Sequence, residues 1–409
     1  MQESLTSGFE QCMKCSICTE VCPMMEVNPL YPGPKHAGPD ALRYRMLDSS
    51  FFDENLKYCL NCKRCEVACP SGVKIADIIA SAKLENAHSA HALRDKMLAS
   101  TDFVGSLASP FAPVVNGVLS LGISKSLLDS TIGVSKHASM PKYSSPKFVS
   151  WFKKQQASQK SFGKQIQYFH GCYVNYNYPQ LGKAFVSLMN ACGYGVSLLE
   201  KQKCCGVALI ANGQKKQALK NADINLQAIG KAVAPVLSTS SSCTLTIREE
   251  YGQLLGKDTA PSKEKFHLAV KWLYEQWEKG AVKFAWREDF RMKAAYHTPC
   301  HMQKLGYQYY SIELLKMIPG LELSVPEQQC CGIAGTFGFK KEYHELSQKI
   351  GSKLFSSLKA TGCDYVITDC ETCKWQIEAG CSLPVLNPIE VLARALDIEK
   401  TKILNNNEE

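Results

Sequence analysis

Two short cysteine runs near the N-terminus limit what this chain can fold into more than any other feature. The first is Cys12-Met13-Lys14-Cys15-Ser16-Ile17-Cys18-Thr19-Glu20-Val21-Cys22-Pro23. The second is Cys59-Leu60-Asn61-Cys62-Lys63-Arg64-Cys65-Glu66-Val67-Ala68-Cys69-Pro70. Both read C-x2-C-x2-C-x3-C-P, the bacterial run for a [4Fe–4S] cluster, in which three thiolates from one loop bind one cube and the fourth ligates the other. That crossing assigns Cys12, Cys15, Cys18 and Cys69 to one cluster, and Cys59, Cys62, Cys65 and Cys22 to the other. Structural zinc also takes four cysteines, but usually as two separated C-x-x-C pairs, which these compact runs fit poorly.

The chain has 409 residues, 45% of them hydrophobic, enough for two or three domains with a sizeable core. Its 20 cysteines are too dilute for a disulfide scaffold. Clustered at ligand spacings, they point to a reducing compartment and metal clusters. Met1 to Glu10 is polar and carries Glu3 and Glu10, so no secretory leader is expected. There is no G-x-G-x-x-G after a predicted strand and no Walker motif. The chain is therefore expected to hold no dehydrogenase site of its own and to be inactive alone on a dehydrogenase substrate.

The pattern predicts an α+β multidomain chain. Residues 1–100 read as a helical two-cluster ferredoxin-like domain. A Pro/Gly loop runs from Asn28 to Pro39, followed by a helix from Asp40, its N-cap, to about Leu47. After Pro70, Ile75, Ile78, Ile79 and Ala82 share one face of a helix running to about Leu98. Residues 101–164 read as a connector. Positions 103–124 carry no charged side chain but include Pro110 and Pro113. A spanning helix needs ~20 predominantly apolar residues, so an interfacial or partner-facing hairpin of helices and a buried connector are the two alternatives. From Ser130 to Leu199 there is no Asp or Glu, against lysines at 136, 142, 147, 153, 154, 160, 164 and 183. With Tyr143, Phe148, Trp151 and Phe152 interleaved, this stretch suits an anionic membrane surface. A solvated basic linker is the alternative, and no nucleic-acid motif accompanies the charge.

From residue 165 the chain repeats itself, as copy one over 165–290 and copy two over 291–400, before a polar tail at 401–409. Copy one carries His170-Gly171-Cys172, Cys204-Cys205-Gly206 and Cys243; copy two carries His297-Thr298-Pro299-Cys300, Cys330-Cys331-Gly332 and Cys370-Glu371-Thr372-Cys373. Matching Cys172 with Cys300, Cys204 with Cys330 and Cys243 with Cys370 keeps nearly one offset, the mark of a duplication. Each marker follows a run with strand character: Ile166–Phe169, Val196–Leu199 and Val233–Leu237 in copy one, and Ala294–Tyr296, Leu321–Val325 and Tyr365–Thr368 in copy two. Helical patterns such as Gln214–Ile229 and Lys340–Leu358 lie between, which predicts parallel sheets in duplicated α/β cysteine-rich domains. The cysteines then sit past the carboxyl ends of the strands, where open α/β sheets bind ligands.

These motifs resemble the C subunits of anaerobic glycerol-3-phosphate dehydrogenases. The resemblance rests on the twin runs, Tyr31-Pro32-Gly33-Pro34-Lys35, Asn175-Tyr176-Asn177, His297-Thr298-Pro299-Cys300-His301 and Thr368-Asp369-Cys370-Glu371-Thr372-Cys373-Lys374-Trp375. The repeats are similar to those of heterodisulfide reductase B subunits and glycolate oxidase iron–sulfur subunits. The resemblance implies two cubane [4Fe–4S] clusters and, for a complete repeat, five cysteines around a noncubane [4Fe–4S] cluster. Copy two supplies Cys300, Cys330, Cys331, Cys370 and Cys373. Copy one supplies Cys172, Cys204, Cys205 and Cys243 but has Thr246 at the fifth position, so it holds an altered cluster or none. Also implied are flavoprotein partners, the A and B subunits, as electron source and a quinone as sink. The place implied is peripheral, on the cytoplasmic face of the inner membrane against anionic lipid. His297 and His301 flank Cys300 and are candidates to supply quinone protons, with a structural role beside the cluster as the alternative. The rival functions are a glycolate- or lactate-oxidising assembly and a soluble heterodisulfide-type reductase.

Overall fold

The structure, a computed structural model, describes residues 8–86 and 91–406. The expected absence of a leader concerns mainly residues 1–7, outside the described residues, as are 407–409 of the polar tail. The helix expected from Ile75 to Leu98 crosses residues 87–90, also outside them. On either side the chain forms the helices Ile75–Glu85 and Ala92–Ala99.

Eight strands carry the second part of the chain: β1 (Lys164–Tyr168), β2 (Tyr194–Leu198), β3 (Val236–Ser238), β4 (Phe266–Leu268), β5 (Met292–Tyr296), β6 (Leu321–Ser324), β7 (Tyr365–Ile367) and β8 (Val385–Leu386). They form two four-stranded sheets ordered β2-β1-β3-β4 and β6-β5-β7-β8. Every pairing is parallel. One order occurring twice is the architecture of the duplication. In each sheet the order reverses direction after the first strand, so a crevice opens at the carboxyl ends between the first and third strands. The fourth strands, β4 and β8, were not visible in the sequence, because two or three residues show no periodicity. Val233, expected to begin a strand, is 97% exposed; the strand starts after Pro235, at Val236.

One core runs through both sheets. Ile166, Tyr168, Phe185, Leu237 and Leu273 of the first pack in one cluster with Ala294, Tyr296, Leu314, Ile367 and Leu392 of the second. The helix Pro388–Ala395 closes it. Pro388 occupies the first turn, and Asn387 and Glu390 form a reciprocal capping box, which satisfies two backbone donors at that end.

The N-terminal part is helical and irregular, as expected. Ile75, Ile78, Ile79 and Ala82 are buried on the helix Ile75–Glu85 and pack with Leu42, Leu56 and Tyr31. Asp40 is not an N-cap. A π-turn at His36–Asp40 runs straight into the helix Ala41–Leu47, Asp40 is itself helical, and its carboxylate instead pairs with Arg43 at 2.9 Å.

The connector forms helices at Thr101–Ala108, Ala112–Ser120 and Gly122–Thr131. The apolar stretch is thus a helical hairpin, turning at Leu121. It is not a buried connector: Phe103, Leu107, Phe111, Val114 and Val118 are exposed, at spacings that place them on one stripe. Among the described residues, Thr101–Ser120 is the one helix long and apolar enough to cross a membrane by length and composition. Its opposite face is docked to the protein. The Asp102 carboxylate accepts from the Cys204 backbone N–H at 2.6 Å, Gly105 lies against the Tyr176 ring, and the Asn116 side chain exchanges two 2.8 Å hydrogen bonds with the Tyr143 backbone. Two of the interleaved aromatics are turned inward. Phe148 and Phe152 lie in the sheet core, because the helix Phe148–Lys153 packs beside Pro179–Ala191. Lys147, Lys164 and Lys183 cover the rings of Tyr176, Tyr194 and Trp151.

Candidate metal centres

Each N-terminal run winds the same way. Lys14 and Ser16 in the first, and Asn61 and Lys63 in the second, have φ of 57°, 66°, 52° and 64°. Side-chain-bearing residues seldom adopt this left-handed conformation, and two in each loop coil the chain so that successive cysteines face one interior. The first interior is lined by Cys12, Cys15, Cys18 and Cys69. The second is lined by Cys22, Cys59, Cys62 and Cys65. The fourth cysteine of each run thus sits with the first three of the other. Burial, and next the charge of Cys62, push the Cys22 thiol up to about 12. Burial also raises the thiols of Cys18 and Cys65. Thiolates gathered in one interior repel one another unless a cation binds among them. This all-sulfur donor set fits an iron–sulfur cluster.

Buried charge holds the second run in place. Lys63 is 1% exposed; it ion-pairs with Asp77 and, at 3.3 Å, with Glu250 of the first repeat. Glu250 also accepts from Asn61 at 3.0 Å and from Thr246 at 2.7 Å. Lys304 of the second repeat meets Glu66 at 2.7 Å. The sequence offered no sign of this network, since a lysine inside a cysteine run reads as a solvated residue.

In both repeats the C-C-G turn has the same form. Gly206 and Gly332 take φ of +88° and +84°, and their N–H groups point at the sulfurs of Cys204 and Cys330 at 3.5 and 3.4 Å. A side chain at Gly332 would meet the Ser347 carbonyl at 2.0 Å, so only glycine fits there. In copy one Cys204 lies close enough to Cys172 and Cys205, and Cys205 to Cys243, for their thiols to shift one another's ionisation. In copy two Cys300 and Cys330 do the same, and the sulfurs of Cys331 and Cys373 lie 3.3 Å apart. A hydrogen bond from Cys373 brings the Cys370 thiol down to about 6. Sulfurs gathered this closely are a donor set that would suit iron.

The structure corrects one match between the copies. The helix after β3 is capped by Ser240, whose hydroxyl accepts from the Cys243 N–H at 3.2 Å. The helix after β7 is capped by Cys370, whose sulfur accepts from the Cys373 N–H at 3.3 Å. Cys243 therefore corresponds to Cys373, and the missing cysteine is replaced by Ser240, not by Thr246. Thr246 lies a turn further on, buried, with its hydroxyl on Glu250. Sequence offsets misaligned this pair because the copies differ in length between the second and third strands. The histidines shift too. The N–H of Phe169 bonds the Leu237 carbonyl as that of His297 bonds the Ile367 carbonyl, so His297 matches Phe169, and His170 does not.

His297 is 2% exposed, and burial pushes it down to about 4. His301 lies nearer the surface, its Nδ1 3.0 Å from Ser242 of copy one. The two cysteine sites face each other. Ser241 donates through its N–H and hydroxyl to the Asp369 carbonyl, at 3.1 and 2.8 Å, and Ser240 donates to Glu371 at 2.9 Å. The N-terminal part meets copy two directly: the helix Arg64–Val67 packs against Cys300–Leu305, and the thiols of Cys62 and Cys300 lie close enough to shift each other's ionisation.

A 4Fe-4S dicluster domain family matches residues 8–73. A cysteine-rich domain family matches both 166–248 and 294–378. The C subunit of the anaerobic glycerol-3-phosphate dehydrogenase of Escherichia coli (strain K12) is 49% identical over 394 residues, covering 95% of this chain and 99% of that protein. The chain belongs to that family of C subunits. An iron–sulfur protein of Methanococcus maripaludis is 25% identical, covering 94% of the chain and 72% of its own length. A lactate utilization protein A 2 of Bacillus cereus (strain 03BB102) is 27% identical over 57% of the chain and 99% of its own length. As a member of the C-subunit family, with both cysteine-bearing domain types, the chain carries iron–sulfur clusters.

Proposed function

We propose that this chain is the electron-relaying subunit of an anaerobic glycerol-3-phosphate dehydrogenase. In this reading it takes single electrons from flavin-containing A and B subunits and delivers them to a quinone, menaquinone among them. The observation that carries the reading is the contact between Cys62 and Cys300, which joins the second N-terminal set to copy two. Cys12, Cys15, Cys18 and Cys69 would hold one cubane, Cys59, Cys62, Cys65 and Cys22 the other, and the five cysteines of copy two a noncubane cluster. Bound there, these groups accept and release one electron at a time. Cys15 is exposed, with Met13, Ile17 and Leu30 exposed nearby, which suits entry from a docked flavoprotein at the first set. Copy two is then the exit, and His301 a candidate to supply protons to the quinone. Copy one, with Ser240 in place of a cysteine, holds an altered cluster or none.

The exposed stripe from Phe103 to Val118 supports a peripheral attachment to the cytoplasmic face of the inner membrane. A helix docked along one face lays its apolar stripe into the lipid interface rather than crossing it. Exposed Lys136, Lys142, Lys153, Lys154 and Lys160 supply charge for anionic lipid. The match to a lactate utilization protein covers little more than half of the chain, so it speaks for the shared repeats rather than for lactate as the substrate oxidised.

The test is anaerobic co-purification with metal analysis. A brown complex with a flavoprotein pair, about eight or more irons per chain, and quinone reduction by glycerol 3-phosphate only when all subunits are present would support the reading. Zinc at that stoichiometry without iron, or disulfide turnover by the isolated chain without quinone, would overturn it.

A further inference from the structure

Among the described residues the side chain of His297 finds no hydrogen-bond partner. It lies at the carboxyl end of β5, 2% exposed, and neither Nδ1 nor Nε2 makes a hydrogen bond. A neutral imidazole carries one donor and one acceptor, and buried polar atoms are nearly always satisfied. One ring nitrogen and the sulfurs of Cys331 and Cys373 all lie within 4.8 Å of one another, a spacing that ligands of a single metal ion share.

The other repeat supplies an internal control. Phe169 stands at the matching position, 1% exposed, its ring edge-on to Phe266 at 5.4 Å between centroids. An apolar ring therefore packs well at the end of this strand, and packing alone does not call for an imidazole. The same repeat lacks a cysteine, with Ser240 where copy two has Cys370. Histidine and fifth cysteine occur together in one copy and are absent together from the other.

We propose that His297 is a sixth protein ligand of the copy-two cluster, its ring nitrogen standing beside the sulfurs of Cys331 and Cys373. This rests on the reading of copy two as a cluster site, and the test separates the two. The full-length chain is prepared anaerobically with natural-abundance and with 15N-labelled histidine, and each cluster signal is recorded by pulsed electron paramagnetic resonance. One signal beyond those of the two cubanes should show a strongly coupled nitrogen whose lines change on labelling. In His297→Phe, which installs the side chain that copy one already packs at this position, that coupling should vanish while the cubane signals and about eight irons per chain remain. A copy-two signal without histidine coupling overturns the ligand assignment alone, as does a coupling that survives in His297→Phe. No signal beyond those of the cubanes, with iron for two cubanes only, overturns the cluster reading and the ligand with it. The labelling comparison uses the unaltered sequence, so it stands even where the variant does not fold.

Discussion

At the scale of single residues, ligation and burial give opposite expectations for different cysteines. Cys62 lines the second cavity and touches Cys300. Cys62→Ser should lower iron by about four per chain and abolish electron flow to quinone, as read by metal analysis and a quinone-reduction assay on the assembled complex. Cys331→Ser should stop quinone reduction but leave the cubane signals. Cys381 is buried, its thiol donating to the Phe355 carbonyl at 3.7 Å, and the neighbouring thiol whose charge acts on it is that of Cys363, not one of the five cysteines assigned to the cluster. Cys381→Ser should therefore change neither iron content nor rate. Lys63 is the sensitive non-ligand. Lys63→Met leaves Asp77 and Glu250 as unpaired buried charges, which costs about 3–5 kcal/mol. Anaerobic denaturant unfolding should show this loss, with Lys154→Met, at an exposed site, unaffected. Such residues were legible in the sequence only as ligands; a buried lysine is recognised by its partners, and those lie in other parts of the chain.

At the scale of elements, the apolar hairpin and one inter-helix clamp can be tested separately. Phe103, Leu107, Phe111, Val114 and Val118 form the exposed stripe. Burying one such side chain is worth about 1.5–3 kcal/mol, so Leu107→Asp with Val114→Asp should weaken binding to anionic vesicles by more than about tenfold. Iron content should not change, since neither side chain reaches the docked face. The clamp joins the helix Ala92–Ala99 to Lys341–Ala360, where Arg94 makes two hydrogen bonds to Glu342 at 2.7 and 2.8 Å. Partial burial pushes the Glu342 carboxyl up, but these bonds outweigh it and hold the group below its usual 4.5. A lowered folded value means that the contribution is present above the unfolded value and fades as pH falls through the folded one. Glu342→Gln should thus be less stable than the unaltered chain near neutral pH. The gap should close below about pH 4.5, as measured by unfolding midpoints across that range. The hairpin was legible as two alternatives, and the choice between them came from which face found partners in Cys204, Tyr176 and Tyr143.

At the scale of the whole molecule, the arrangement is a chain of sulfur sites. The first N-terminal set is open to solvent at Cys15, and the second packs against copy two where Cys62 approaches Cys300. Copy two faces copy one through Ser240, Ser241, Asp369 and Glu371. Both repeats place their cysteines at the same switch point of the same strand order, so the duplication brings two sites face to face around a shared core. Copy two has the fuller donor set and the direct contact with the second N-terminal set. Copy one has lost one donor and is tied to the second run by Glu250.

The sequence by itself determined the clustering of cysteines in the twin runs, the crossing of the fourth cysteines, the duplication and the parallel sheets. Each is written in spacing along a few consecutive residues or in a repeated pattern. Only the tertiary structure decided that Cys243 matches Cys373, that Ser240 rather than Thr246 marks the lost ligand, that Phe148 and Phe152 belong to the core, and that Cys62 meets Cys300. The reason is physical. A cap, a strand register and a thiol–thiol contact depend on where the backbone returns after a loop, and loop length varies freely between copies while the packed geometry does not.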